Sequence, residues 1–97
     1  MLVGGCLAAQ AASLVALDRA REALPMATRA VTLLAKIEGG TVYLATARYA
    51  RGRALAMTGR RAEGIAELER AIALFTSADE LKNRAAVEAE QTLRALR

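Results

Sequence analysis

EALPMATRAVTLL, at residues 22–34, recurs as EGIAELERAIALF at residues 63–75. The same offset, which carries Glu22 to Glu63, also places Leu14 on Leu55, so the repetition extends upstream of both segments. A fixed period of this size is typical of stacked helical repeats, in which one unit cannot bury its apolar face alone. The duplication therefore predicts a helical repeat whose surface is built to contact something else.

Composition agrees with a helical chain of 97 residues, which is enough for one domain or for part of a larger protein. Apolar residues make up 55%, much of it alanine, while aromatic residues make up only 3%. Alanine favours helix strongly, so an all-α fold is predicted and an all-β fold is not. The net charge of +4 is interpreted mainly as a solvated helix surface, because glutamates locally balance many of the arginines.

No charged side chain precedes Asp18, which raises the question of a targeting segment. No Lys or Arg precedes the apolar run, as a signal peptide requires, and Gln10 and Ser13 interrupt it. The single cysteine, Cys6, excludes a disulfide within the chain and is expected to be a small buried hydrophobe in a reducing compartment. We therefore expect a cytoplasmic protein with no membrane segment and a buried first helix.

Apolar spacing predicts five helices, joined by short connections that make successive helices antiparallel neighbours. The second and fourth show the clearest three-four spacing. On the first, the apolar positions Leu14 and Leu17 are expected to face the neighbouring helices. The predicted helices span about residues 3–17, 19–37, 41–58, 61–75 and 78–96.

Local signals mark where these helices begin and end. Asp18 is a predicted N-cap for the second helix, and Ser77 with Glu80 has the form of a capping box that opens the fifth. Gly39-Gly40 and Gly59 are expected to end the second and third helices, because glycine accepts the left-handed conformation common there. Pro25 lies inside the second pattern, so we expect one continuous segment with a bend.

Residues 51–75 resemble a tetratricopeptide repeat. In that family a small residue on the first helix of a pair faces a small residue on the second, and Gly52 with Gly64 matches this pair. Ala11 and Ala23 match it at the equivalent positions of the first repeat. The resemblance implies an all-α, antiparallel helix-pair solenoid: two repeats, at about residues 3–37 and 42–75, and a C-terminal capping helix at about residues 78–96.

The chain departs from the usual repeat in three ways. Its period is 41 rather than the usual ~34, Arg48 and Arg51 stand where Trp and Leu are common, and Thr76 replaces the closing proline. A longer period resembles variants seen in kinesin light chains and in bacterial signalling proteins. The local sequence is also similar to C-terminal repeat arrays of large bacterial regulators, which implies a bacterial signalling context.

Catalytic chemistry is not predicted. The chain has no histidine, and its single cysteine and scattered carboxylates form no metal-binding pattern. No phosphate-binding loop and no kinase, hydrolase or dinucleotide motif is present. We therefore expect a non-enzymatic protein with no metal and no cofactor.

The resemblance implies that a groove along the first helix of each pair binds a peptide or a partner helix. On the third helix four residues map to that face: Thr46, Tyr49, Arg53 and Met57. Arg53 is suited to a peptide carboxylate and Tyr49 to a rigid amphipathic contact. The alternatives are that Tyr49 belongs to the core and that Arg53 is a solvated charge. The matching face of the first helix carries only alanines: Ala8, Ala12 and Ala16.

The leading interpretation is thus a scaffold that binds a protein or peptide. A second is a C-terminal sensor or scaffold segment of a serine/threonine kinase or transcriptional regulator. A third is a self-associating module that forms a homodimer through its apolar first helix. Nucleic-acid binding is not favoured, because the clustered arginines spread around a helix at roughly 100° per residue; they are Arg48, Arg51, Arg53, Arg60 and Arg61.

Overall fold

Alanine-rich segments with three-four apolar spacing fold as helices in the computed structural model, which describes residues 3–36, 41–80 and 82–96, with side chains from Gln10 onward. Within these ranges the chain is all α, as predicted, and contains no strand. The helices are α1 (Val3–Ala16), α2 (Ala20–Leu34), α3 (Thr41–Met57), α4 (Arg61–Ser77) and α5 (Arg84–Leu96). None of the helices in the described ranges is long and apolar enough to cross a bilayer.

The turn between α1 and α2 and the turn between α3 and α4 are related by the same offset as the sequence repeat. α1 ends at Ala16 and α2 begins at Ala20, while α3 ends at Met57 and α4 begins at Arg61. Ala16 corresponds to Met57 and Ala20 to Arg61 under the offset that carries Glu22 to Glu63. The sequence repeat is therefore a repeat of local structure at these turns.

Both turns use one residue in the left-handed conformation, Asp18 with φ of 67° and Gly59 with φ of 91°. In each, the N–H of the next residue donates to the carbonyl oxygen five residues earlier, at 2.8 Å, which is a Schellman arrangement. The prediction that Gly59 ends α3 is confirmed. The prediction that Asp18 caps α2 is wrong: Arg19 occupies the N-cap position without a side-chain capping bond, because Asp18 instead closes α1.

The predicted capping box at the start of the fifth helix is also wrong. Ser77 is the last residue of α4, and Asp79 follows in the left-handed conformation with φ of 57°. The N–H of Glu80 donates to the carbonyl oxygen five residues earlier, so this segment closes α4 rather than opening α5. α5 begins later, where the Asn83 Oδ1 accepts a 2.9 Å hydrogen bond from the N–H of Ala85.

α3 is the central helix, since it contacts all four others. α1, α3 and α5 contact in series, while α2 bridges α1 and α3 and α4 bridges α3 and α5. In the described ranges α2 does not contact α4, and α1 does not contact α5. The helices therefore form two groups of three, α1–α2–α3 and α3–α4–α5, that share α3.

Small side chains dominate the core, and its two largest fully buried members are Tyr49 and Phe75. The predicted apolar faces of the second and fourth helices are confirmed; their buried residues are Ala20, Ala23, Ala27, Ala30 and Leu34, and Leu68, Ala71 and Phe75. α1 differs from expectation, because it ends at Ala16 and leaves Leu17 66% exposed in the turn. Among the side chains of α1 that the structure describes, Ala11 and Val15 are the buried ones.

Pro25 does not interrupt α2, which is one helix from Ala20 to Leu34, as expected. Its side chain lies on the exposed side of the helix. The carbonyl oxygen of Arg21, which loses its helical donor to the proline ring, therefore lies where water can replace that donor. Proline is tolerated here because it avoids the buried face.

α3 and α4 approach each other closely at Gly52 and Gly64. A Cβ atom added to Gly64 would lie 2.7 Å from the Gly52 carbonyl oxygen and 3.0 Å from the Ala56 nitrogen. One added to Gly52 would lie 3.0 Å from the Gly64 carbonyl oxygen. The predicted pairing of these two glycines is confirmed, and Ala11 and Ala23 at the equivalent positions are both fully buried.

Several predictions lie outside the described residues. They concern the side chains of Cys6 and Ala8 and the conformation of Gly39-Gly40. The prediction that Gly39-Gly40 ends the second helix is wrong, because α2 ends at Leu34 with Ala35 in the C-cap position.

Candidate partner-binding groove

A groove of about 340 Å³ lies where α1, α3 and α5 face one another. α1 supplies a wall of small side chains, α3 the floor, and α5 with its preceding turn a polar wall. The lining residues are Ala12, Ser13 and Ala16 from α1, Thr46 and Tyr49 from α3, and Asn83, Arg84, Ala85 and Glu88 from the α5 side.

A hydrogen-bonded network crosses from α3 to α5 at the edge of this groove. The Tyr49 hydroxyl donates to Glu88 Oε2 at 2.7 Å and accepts from Arg53 Nη1, also at 2.7 Å. Arg84 Nε donates to the other Glu88 oxygen at 3.3 Å. Arg53 Nη1 lies 4.0 Å from Glu88 Oε2. The carboxylate therefore faces two guanidinium groups and a phenol, which fixes α5 against α3.

Tyr49 is only 1% exposed, and this burial raises the pKa of its phenol above the ordinary value of 10.0. Its hydrogen bond to Glu88 raises the pKa further, because the neutral phenol donates to the carboxylate. Arg53 acts in the opposite direction, since its positive charge favours the phenolate. The hydroxyl is thus a protonated donor at neutral pH.

Three of the four candidate residues predicted from the sequence lie together. Thr46 lines the groove and donates its hydroxyl to the Val42 carbonyl oxygen at 3.0 Å. Tyr49 is a core residue and part of the groove floor, and Arg53 is held on its hydroxyl. Met57 is elsewhere: it is 40% exposed and lines a different cavity, of about 550 Å³, beside the turn between α1 and α2.

Sequence reasoning missed Glu88 and Arg84 as groove residues. Their charge alone predicts only a place on the solvated face of the fifth helix. Glu88 lies 39 residues from Tyr49 in the sequence, so no local spacing connects them. The sequence shows only that Glu88 is an acidic residue on the predicted capping helix. Which residue it bonds depends on how α5 packs against α3.

A second charged cluster surrounds Glu67, whose side chain is 2% exposed. Arg48 Nη1 lies 2.9 Å and Arg70 Nη1 3.0 Å from Glu67 Oε1. Arg51 Nη1 lies 3.2 Å from Oε2, without the angle of a hydrogen bond, while its Nε donates to Thr28 of α2. These arginines therefore join α2, α3 and α4 rather than forming an open basic surface.

The clustered arginines of the sequence are distributed over separate places. Arg48 and Arg51 lie in the buried cluster, Arg53 lies at the groove, and Arg60 forms an exposed pair with Glu63 at 2.6 Å. The three arginines on α3 are spread around that helix, as expected. Arg60 and the exposed Arg61 lie instead at the start of α4.

The described side chains contain no grouping of three or more His, Cys, Asp or Glu that could hold a metal ion. No protein-family model, curated protein or solved structure matched this chain. The candidate site is therefore defined by its geometry alone.

Proposed function

We propose that this chain is a protein–protein interaction module that binds a peptide or a partner helix in the groove between α1, α3 and α5. The observation that carries the proposal is the groove itself, about 340 Å³ in volume and bounded by three helices. The order of helix contacts supports it, since α1, α3 and α5 follow one another while α2 and α4 each bridge two of them. We further propose a solenoid of two tetratricopeptide-like helix pairs closed by α5.

The two walls of the groove favour an amphipathic ligand. On α1, Ala12 and Ala16 leave room for a backbone or a small apolar side chain to approach closely. On the opposite wall the Arg84 side chain is 93% exposed and Glu88 is 34% exposed, so both remain able to bond a ligand. Because Tyr49 is buried and its hydroxyl is held by Glu88 and Arg53, the floor is rigid and a ligand does not have to order it.

Selection of displayed peptides against the chain, followed by calorimetric titration of the best binder, tests this proposal. Ala12→Arg would fill the groove, and we expect it to weaken binding at least about tenfold. Ala62→Arg, an exposed position on α4, is the matched control and should leave affinity unchanged. Failure to select any peptide, or equal loss in both variants, would argue against the groove.

A further inference from the structure

The edge of the molecule formed by α1 and α2 carries an open, largely apolar groove of about 380 Å³. Gln10, Ser13, Leu14 and Met26 line it. Only Ser13 is shared with the groove between α1, α3 and α5. This edge therefore presents a mostly separate surface, and the proposed peptide binding does not use it.

The equivalent edge of the second repeat shows what kind of partner packs on such a surface. The offset between the repeats carries Gln10 to Arg51 and Leu14 to Leu55. Leu55 is fully buried, and Arg51 donates to Thr28 of α2 at 3.2 Å. In the second repeat the edge is thus covered by a helix pair of the same chain. In the first repeat no described residue covers it.

α2 presents a self-complementary stripe at this edge. Glu22, Met26, Arg29 and Leu33 follow one another at spacings of four, three and four residues, which places them on one side of the helix. Met26 and Leu33 are partly buried, while Glu22 and Arg29 are exposed. A second α2 running antiparallel across Met26 brings Glu22 of each copy near Arg29 of the other.

α1, the other helix at this edge, carries no charged side chain that would oppose dimerisation. Val3–Ala16 contains no Asp, Glu, Lys or Arg, so α1 adds no repulsion when two chains of net charge +4 approach here. Glu22 already pairs with Arg19 in its own chain, but both side chains are more than half exposed. Such an exposed pair is weak and leaves the carboxylate able to engage a second cation.

We infer that a second copy of this chain covers the edge, forming a two-fold dimer in which the α2 helices cross antiparallel near Met26. An isologous interface requires a patch that is complementary to itself, and an apolar centre flanked by one acidic and one basic residue has that property. The inference concerns a different surface from the proposed peptide groove, and the two can fail independently.

Sedimentation equilibrium from about 1 µM to about 1 mM tests the dimer. We expect the wild type to dimerise, and Arg29→Glu or Glu22→Arg to raise the dissociation constant at least about tenfold, because like charges then meet. The double variant Glu22→Arg with Arg29→Glu restores opposite charges and should recover dimerisation. A wild type that is monomeric throughout, or a double variant no tighter than the singles, overturns the inference.

Two apolar positions provide a matched comparison. Met26→Lys places a charge at the crossing and should abolish the dimer, whereas Val87→Lys alters an exposed apolar residue on α5, away from this edge, and should not. Circular dichroism verifies that each variant is folded; if Met26→Lys unfolds, the charge exchange still decides. Loss of the dimer in Val87→Lys but not in Met26→Lys, or growth into open-ended assemblies, excludes this interface.

Discussion

At the scale of single residues, the two repeats differ by a methyl group at each of two paired positions: Ala11 and Ala23 in the first repeat correspond to Gly52 and Gly64 in the second. Gly64→Ala should lower the free energy of unfolding by about 1–3 kcal/mol, since the added carbon would lie 2.7 Å from the Gly52 carbonyl oxygen. This loss is expected although alanine is the better helix former by about 1 kcal/mol. Urea denaturation measures it.

The control for this substitution is Ala73→Gly, the reverse exchange at an exposed position of the same helix. It should cost only the propensity difference, about 1 kcal/mol. If Gly64→Ala proved as stable as the wild type or more so, the backbones of α3 and α4 could not be as close as described.

Substitutions at the two equivalent turn residues, Asp18 and Gly59, should change the free energy of unfolding in opposite directions. Asp18→Gly should raise the free energy of unfolding by about 0.5–1 kcal/mol, because glycine adopts a positive φ without steric cost. Gly59→Ala should lower it by about 1 kcal/mol. An added Cβ at Gly59 meets no atom within 4 Å, so only backbone conformation is tested. Thermal unfolding of both variants measures the effects, and changes of equal sign would contradict the shared turn geometry.

Burial of the Tyr49 phenol predicts that the stability of the fold depends on pH in the alkaline range. Its pKa is raised in the folded state, so the folded chain holds the proton more tightly than the unfolded chain does. The stability this contributes is fully present below pH 10 and is lost as pH rises through the folded pKa. In Tyr43→Phe, Tyr49 is the remaining tyrosine, and its phenolate absorbance should appear with a midpoint above 10.0. A midpoint at or below 10.0 would contradict the described burial of this phenol.

At the scale of elements, one carboxylate joins α3 to α4. Glu67→Gln keeps the shape of the side chain but removes its charge, leaving Arg48 and Arg51 less than one-third exposed and without a counter-charge. We expect a loss of about 1–3 kcal/mol in unfolding free energy. Glu63→Gln, in an exposed pair, should change it by less than about 0.5 kcal/mol. Equal effects in a urea titration would show that burial does not strengthen the cluster.

Sequence spacing predicts the helices well because the information is local. The buried faces of α2 and α4 follow from apolar residues at three-four spacing, and the pairing of Gly52 with Gly64 from the duplication. The start of α5 was missed, because Ser77 and Glu80 satisfy a capping pattern that Asp79 overrides by ending α4. Asparagine is a good N-cap, so the signal at Asn83 was present but weaker.

The candidate groove was only partly predictable. Thr46, Tyr49 and Arg53 share a helix, so their spacing of three and four residues places them near one another. Glu88 joins them through the docking of α5, and no pattern within a single helix specifies that angle. Met57 was misplaced relative to the others because it lies at the end of α3, where the turn between α1 and α2 forms a cavity of its own.

At the scale of the whole molecule, α3 belongs to both three-helix groups. Neither group keeps its core when α3 opens, so the two repeats should unfold together rather than one after the other. Hydrogen exchange monitored by mass spectrometry should show the slowest amides in α3, with α5 exchanging earlier because it packs less extensively on its neighbours than any other described helix. Earlier complete exchange of α3 than of α1 would contradict this.

Because a ribosome makes the helices in chain order, the shared position of α3 also affects how the chain folds during translation. α1, α2 and α3 all contact one another, so the first group has its full set of contacts before α4 or α5 has been translated. The Tyr49 hydroxyl lacks its acceptor until Glu88 is translated, and Glu88 is the last of the groove residues in the chain. A chain interrupted before α5 would keep its first three helices together yet lack the polar wall of the groove.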